Sequence, residues 1–296
     1  MIEILTPTAY IFTGISLYAF ITHIQVGLQQ PFNQRHLLFA LMCLSSSLYT
    51  PSNLQALSAT SIEEFVQAYK LNIELFSIFL LGMIWFIADY TQYRPKPLLI
   101  GLSVCLFLIL IVDITQPLGY QFEVISGLET RQLPWGETFT LAEGKSSLLF
   151  PFSMLILSTI LLYMIYAARI AIQRNWNLNN VMMCAAVGFY VVLAIEATLV
   201  RNGYLNFMPL GMYASFGFII VMSMVLRQEH SDKLKAAAIE TERERTRLET
   251  ILQTTSDGIH ILSQEGVLMD ANDAFFKMLG FDKQTTEPFH LGTPQA

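Results

Sequence analysis

The chain has 296 residues, 53% of them hydrophobic and only 14% charged, with a mean hydropathy of +0.48. Water-soluble domains carry about 25% charged residues, so this balance excludes an ordinary globular protein and points to a membrane protein. The net charge of −6 gives no reason to expect a nucleic-acid partner. Cys43, Cys105 and Cys184 all sit in apolar runs without a CxxC spacing, which argues against a disulfide framework or a zinc site.

No basic region precedes the first apolar run, so no cleavable signal peptide is expected. A helical span needs about 20 mainly apolar residues. Seven segments qualify, at about 8–29, 36–58, 65–90, 98–116, 148–171, 178–200 and 207–227. The second is the weakest, because SSSLYTPSN (45–53) puts a proline and several hydroxyls inside it. Hydroxyls pack well against neighbouring helices, so the span stands, with a kink expected at Pro51. Arg35, Arg94, Lys96, Arg169, Arg174, Arg227, Lys233 and Lys235 fall on one side; Arg131, Lys145 and Arg201 fall on the other. The positive-inside rule then puts the N-terminus outside and the C-terminus in the cytoplasm. The one long connection, about 117–147, faces outward as a loop carrying Glu123, Glu129, Glu137, Glu143 and the segment LPWGETF (133–139).

Ionisable groups within spans are costly and face protein or water rather than lipid. Lys70 and Glu74 are four apart in the third span and can pair on one helix face. Glu196 lies in the sixth span and Arg201 near its outer end. With this sidedness all four occupy the outer half, where they are candidates for binding a small polar ligand. The plainer reading of Lys70 and Glu74 is an intrahelical pair that fixes packing. Trp135, in the outer loop, is a candidate ligand lid, against simple loop packing. Asp89, Asp113 and Arg169 lie near span ends, where reaching the interface explains them. His23 and His36 have no third or fourth partner at a metal or heme spacing, so hydrogen-bonded or interfacial roles are expected. Trp85, Trp176, Tyr90 and Tyr93 fit interfacial anchoring. No catalytic or metal-binding cluster is visible, and 207–226 has no lysine for a retinal Schiff base. A small-solute transporter or channel remains the alternative, without the internal repeat or paired broken helices such proteins use.

After Leu226 comes a charged, helix-forming run. A heptad reading aligns Leu234, Thr241 and Leu248 at one core position and Ala238, Arg245 and Leu252 at the other. That seam suits either a solvated connector helix over 228–250 or a two-stranded coiled coil in a homodimer. The period then changes: GIHIL reads as a strand, SQEG as a turn and VLMDA as a second strand. Asn272 or Asp273 can cap the helix AFFKMLG, which Gly280 ends. Ser256-Asp257-Gly258-Ile259, Glu265-Gly266, Asn272 and Leu279-Gly280-Phe281 resemble the start of a PAS domain, over about 248–282. The resemblance implies an α+β fold with a sheet closing over a cleft. Only its N-terminal part is expected in 251–296, because DKQTTEPFHLGTPQA (282–296) has no strand pattern. The later strands are expected in a longer parent, and no heme, flavin or other cofactor is assigned.

The order of seven spans, connector and PAS start resembles bacterial seven-span sensors of the histidine-kinase N-terminal type. The residues that carry this are Lys70…Glu74, Trp85…Tyr90-Thr91, Gln116-Pro117 and Pro209-Leu210-Gly211, within about 36–227. The resemblance implies a receptor of the bacterial cytoplasmic (inner) membrane. It would relay an outside or membrane signal to the PAS segment and to a histidine kinase or diguanylate cyclase in the parent. This sequence has no phosphoacceptor region, ATP-binding domain or GGDEF stretch, so no catalytic residue is assigned. The expected fold is an all-α membrane protein: a seven-helix transmembrane bundle over 1–227, a cytoplasmic connector helix over 228–250 and an incomplete α+β PAS segment over 251–296. Its expected partners are the lipid bilayer, a small ligand or membrane signal, and a second copy of itself.

Overall fold

A computed structural model describes residues 5–30, 32–133, 135–205, 207–264 and 267–280. Glu265, Gly266, Phe281 and the tail 282–296 therefore lie outside the described residues, with the part of the PAS resemblance that rests on them. The described elements run, in chain order, α1 (Leu5–Leu28), α2 (Gln34–Leu57), α3 (Ile62–Thr91), α4 (Lys96–Thr115), β1 (Phe122–Gln132), β2 (Thr138–Ser146), α5 (Phe150–Arg174), α6 (Leu178–Arg201), α7 (Gly211–Thr254), β3 (His260–Leu262), β4 (Leu268–Ala271) and α8 (Asp273–Leu279). The chain divides into two units, Met1–Arg227 and Gln228–Ala296. The division falls inside α7, which runs unbroken past residue 227 where the sequence suggested a separate connector.

Six helices, α1 and α3 to α7, are long and apolar enough to cross a membrane. On the outward faces of α1, α4, α5 and α6, large apolar side chains such as Tyr10, Phe107, Leu108, Leu155, Leu162 and Val192 are exposed. Soluble monomers rarely present apolar surface on this scale, and such a belt is compatible with a multi-pass membrane protein. The interior is built around α3, which packs against α2, α4 and α5. Phe39, Phe86, Tyr190 and Phe218 meet there with Met83, Met164 and Met222. Phe86 and Tyr190 each set a ring edge-on to Phe218, with centroids 6.2 and 6.3 Å apart, a geometry that the aromatic quadrupole favours.

α2 is the seventh long helix, and composition alone does not qualify it as a span. It lies between α1 and α3 and buries Ser45, Ser46, Ser47, Thr50, Ser52 and Asn53. These groups are matched internally. Ser46 Oγ donates to Ser215 Oγ (3.3 Å), Ser52 Oγ to the Ala68 carbonyl (2.8 Å) and Thr50 Oγ1 to the Ser46 carbonyl (3.0 Å). A helix can bury so many hydroxyls only because each has a partner. α2 continues as one helix through Pro51.

The two ends of the bundle differ. At one, Asp89 accepts from Arg35 Nε (2.9 Å) and also pairs with Arg94. Arg174 donates to the Thr91 and Gln92 carbonyls (both 3.3 Å), closing the C-terminus of α3. His23 and His36 are buried close to this end; their Nδ1 atoms are 2.9 Å apart, and His23 Nε2 reaches Ser223 Oγ at 2.9 Å.

At the other end, the stretch expected to be a loop is an antiparallel hairpin. β1 and β2 pair from Phe122↔Ser146 to Gln132↔Thr138, with irregularities at Phe122/Val124 and Ile125/Gly127. Leu133 and Phe139 are buried beside Tyr49 and Met212, so one face of the hairpin seals the bundle end.

In the second unit, α7 from Gln228 onward is solvated, with Leu234, Ile239 and Leu248 all exposed. β3 pairs antiparallel with β4 through His260↔Ala271. Gly280, at φ 75°, ends α8 in the left-handed conformation that glycine adopts without strain.

Candidate binding site

The hairpin end of the bundle gathers polar groups from three stretches of chain. α3 contributes Tyr69 and Asn72, three residues apart and so on one helix face. Tyr120 and Gln121 lead into β1, and Arg201 is the last residue of α6. Arg201 Nη1 donates to Tyr69 Oη at 2.8 Å, and its Cζ sits 5.1 Å from the centre of the same ring. The Tyr69 hydroxyl in turn donates to Gln121 Oε1. The guanidinium therefore has a cation–π contact and a hydrogen-bonded phenol, but no carboxylate at ion-pair distance among the described residues.

Arg201 stands in the walls of two cavities. The inner one, about 110 Å³, is also lined by Tyr49, Asn72, Tyr120, Ser153 and Tyr190. The outer one, about 300 Å³, lies under the hairpin and is lined by Asn53, Tyr69, Glu129 and Arg131 among others. Asn72 is buried, with its side-chain amide beside the Tyr49 hydroxyl. Burial pushes the Tyr120 phenol up, against the opposing effects of the Ser153 hydroxyl and Arg201, so it remains a neutral donor at ordinary pH. On the rim, a hydrogen bond from Arg131 holds the Glu129 carboxyl below the usual carboxylate range.

Of the five residues singled out in the sequence, Arg201 alone lines these cavities. Lys70 Nζ donates to the Gln116 carbonyl (2.7 Å) and the Ile114 carbonyl (3.4 Å). Those carbonyls close the C-terminal end of α4 and lack helical donors; among the described residues Lys70 forms no ion pair with Glu74. Glu74 and Lys70 both neighbour Asp113, which is buried rather than interfacial. Asp113 Oδ1 accepts from Tyr120 N (3.0 Å), and Oδ2 is buried without a partner. The turn that brings this amide in needs Gly119: its φ is +72°, and a Cβ there would stand 2.6 Å from Asp113 Oδ1. Glu196 Oε2 accepts from Leu210 N at 2.9 Å just before α7, and its Oε1 is buried without a partner among the described residues. Trp135 is half exposed, donating from Nε1 to Glu137 (2.7 Å) and meeting Phe207 edge-on at 5.9 Å.

A scan for charges could not find Tyr69, Asn72, Tyr120 and Gln121, which build most of the polar wall. The one available signal was two polar residues at i, i+3 spacing inside an otherwise apolar span. No group of three metal-ligating side chains occurs among the described residues. The arrangement offers a cation, neutral hydroxyls and amide donors, which is binding chemistry.

In the second unit Asn272 is the organising residue. Its Oδ1 accepts from Ile259 N (2.9 Å) and Phe275 N (3.0 Å), capping α8. Its Nδ2 donates to the Leu252 and Asp257 carbonyls, both at 2.9 Å. One side chain thus joins the end of α7, the entry to β3 and the start of α8.

Residues 246–296 match the PAS domain family, beginning inside α7 and covering β3, β4 and α8. None of the curated proteins matches the chain significantly.

Proposed function

We propose that the chain is the sensing part of a membrane signal receptor. In this reading α1 to α7 form a seven-helix bundle in the bacterial cytoplasmic membrane, α2 included, with the hairpin outside and the PAS segment in the cytoplasm. Binding or a membrane stimulus at the hairpin end biases α7, which hands the change to the PAS segment and to a histidine kinase or diguanylate cyclase in the parent protein. The observation that carries this is the continuity of α7. It starts in the apolar unit, where Met222, Val225 and Leu226 are fully buried, and ends at Thr254 inside the PAS-matched residues. The excess of Arg and Lys around Arg35, Arg94 and Arg174 supports the sidedness. Two copies pair along Leu234, Ala238, Leu248 and Leu252, whose apolar side chains would otherwise face water.

The test is made on the full chain in lipid vesicles, with Leu248→Cys and, separately, Leu234→Cys. Oxidation is expected to cross-link two copies at both positions. Monomers at both positions would sink the paired-connector reading. Movement of ions or solute across the same vesicles would favour the transporter alternative over the receptor.

A further inference from the structure

An arginine half-buried at the end of a bundle, with phenols and amides around it and no carboxylate at ion-pair distance among the described residues, is short of a counter-charge. Desolvated cations are stable where an anion or several acceptors meet them. Arg201 has five N–H donors, and Tyr69 takes one of them. Among the described residues no acid near it pairs with it: Glu129 pairs with Arg131 (2.8 Å) and Glu123 with Lys145 (2.7 Å), Asp113 and Glu196 each take a backbone amide through one oxygen, and Glu143 stands in the wall of the outer cavity. Asn72 adds a buried amide nitrogen, beside the Tyr49 hydroxyl, in the wall of the inner cavity that Arg201 also lines. Part of the same cavity wall is apolar, with Leu80, Leu106, Ile109 and Leu157, beside the hydroxyls of Tyr49, Ser77, Tyr120 and Ser153.

We propose that Arg201 is the recognition cation for a small organic carboxylate, bound with its carboxylate on the guanidinium and its short apolar body in the inner cavity. The planar fork of arginine matches a carboxylate in bidentate fashion. At about 110 Å³ the inner cavity has room for at least about four waters at about 30 Å³ each, enough for a short apolar body. Gln121 and Asn202 stand with Arg201 in the walls of both cavities, so the outer space under the hairpin is the route of entry. Arg131 there is paired with Glu129, which leaves Arg201 as the cation of this wall with no carboxylate at ion-pair distance among the described residues. The assignment rests on the receptor reading for its purpose and on the cavity for its chemistry.

The experiment titrates the full chain in nanodiscs with acetate, propionate, butyrate, inorganic phosphate and butylamine, following thermal unfolding and tryptophan fluorescence. Wild type is expected to respond saturably to the short carboxylates and not to butylamine. Arg201→Gln is expected to weaken the response by about 30-fold or more, the loss typical of removing one partner of a buried charge pair. Ala194→Leu fills the inner cavity without touching a charge and is expected to favour acetate over butyrate. No saturable response to any carboxylate, a response to phosphate alone, or one unchanged in both variants would each overturn the proposal. Carboxylate transport across vesicles would leave the site standing and remove the receptor reading, so the two fail separately.

Discussion

Asn272 fills its whole hydrogen-bonding capacity with four backbone groups drawn from α7, the stretch before β3 and α8. Asn272→Ala strips the cap from α8 and leaves two N–H groups and two carbonyls to find water, so it is expected to cost about 2 kcal/mol. Hydrogen exchange reads this directly, through lost protection at Ile259 and Phe275. Asn272→Asp keeps the acceptor and loses the donors, and should fall between. At the hairpin, Glu129 is held below its ordinary value by Arg131. The stabilisation is therefore present above the unfolded glutamate value of about 4.3 and is lost as pH falls through the lower folded value. Glu129 is half exposed, so solvent screening limits the effect to about 0.5 kcal/mol. A shallow acid-side slope in hairpin exchange rates, absent in Glu129→Gln, is the expected result. Gly119→Ala forces a Cβ against Asp113 at positive φ and should destabilise the bundle by about 1–3 kcal/mol in thermal unfolding.

Among the elements, α2 inverts the usual relation between hydropathy and burial. Substituting Ser52→Leu makes it more apolar, yet removes the bond to the Ala68 carbonyl and overfills the contact with α3. The expected cost is about 1–3 kcal/mol, and greater stability in thermal unfolding would show that the hydroxyl is not matched as described. The sequence made the helices legible because length and apolar runs record them almost directly, as for α4 and α6. The β3–β4–α8 motif was readable too, since turn and cap residues are local signals. The β1–β2 hairpin was not, because irregularities after Phe122 and Ile125 break the two-residue alternation that betrays a strand. The cavity wall was missed for a different reason. Tyr69 and Lys70 are neighbours in sequence, but on a helix adjacent residues diverge by about 100°. The charged residue drew notice while the neutral one faced the site.

For the molecule as a whole, the two units offer very different targets to a protease. Lys233, Lys235, Arg243, Arg245 and Arg247 are exposed, whereas the hairpin's Arg131 is held by Glu129 and the Val200 carbonyl. Brief trypsin treatment in detergent is expected to cut first between 233 and 247 and to leave Met1–Arg227 intact. Early cleavage at Arg131 would show instead that the hairpin is loosely held. The polar interior of α2 also bears on how the protein is made. Ser46 and Ser52 find their partners on α7 and α3, both of which leave the ribosome later. Until they arrive, Ser46 and Ser52 lack those partners, and α2 by composition is not apolar enough to count as a span. In the seven-helix reading proposed above, such a segment waits at the translocon or is shielded by a chaperone, and the order of synthesis becomes part of how the chain reaches its fold.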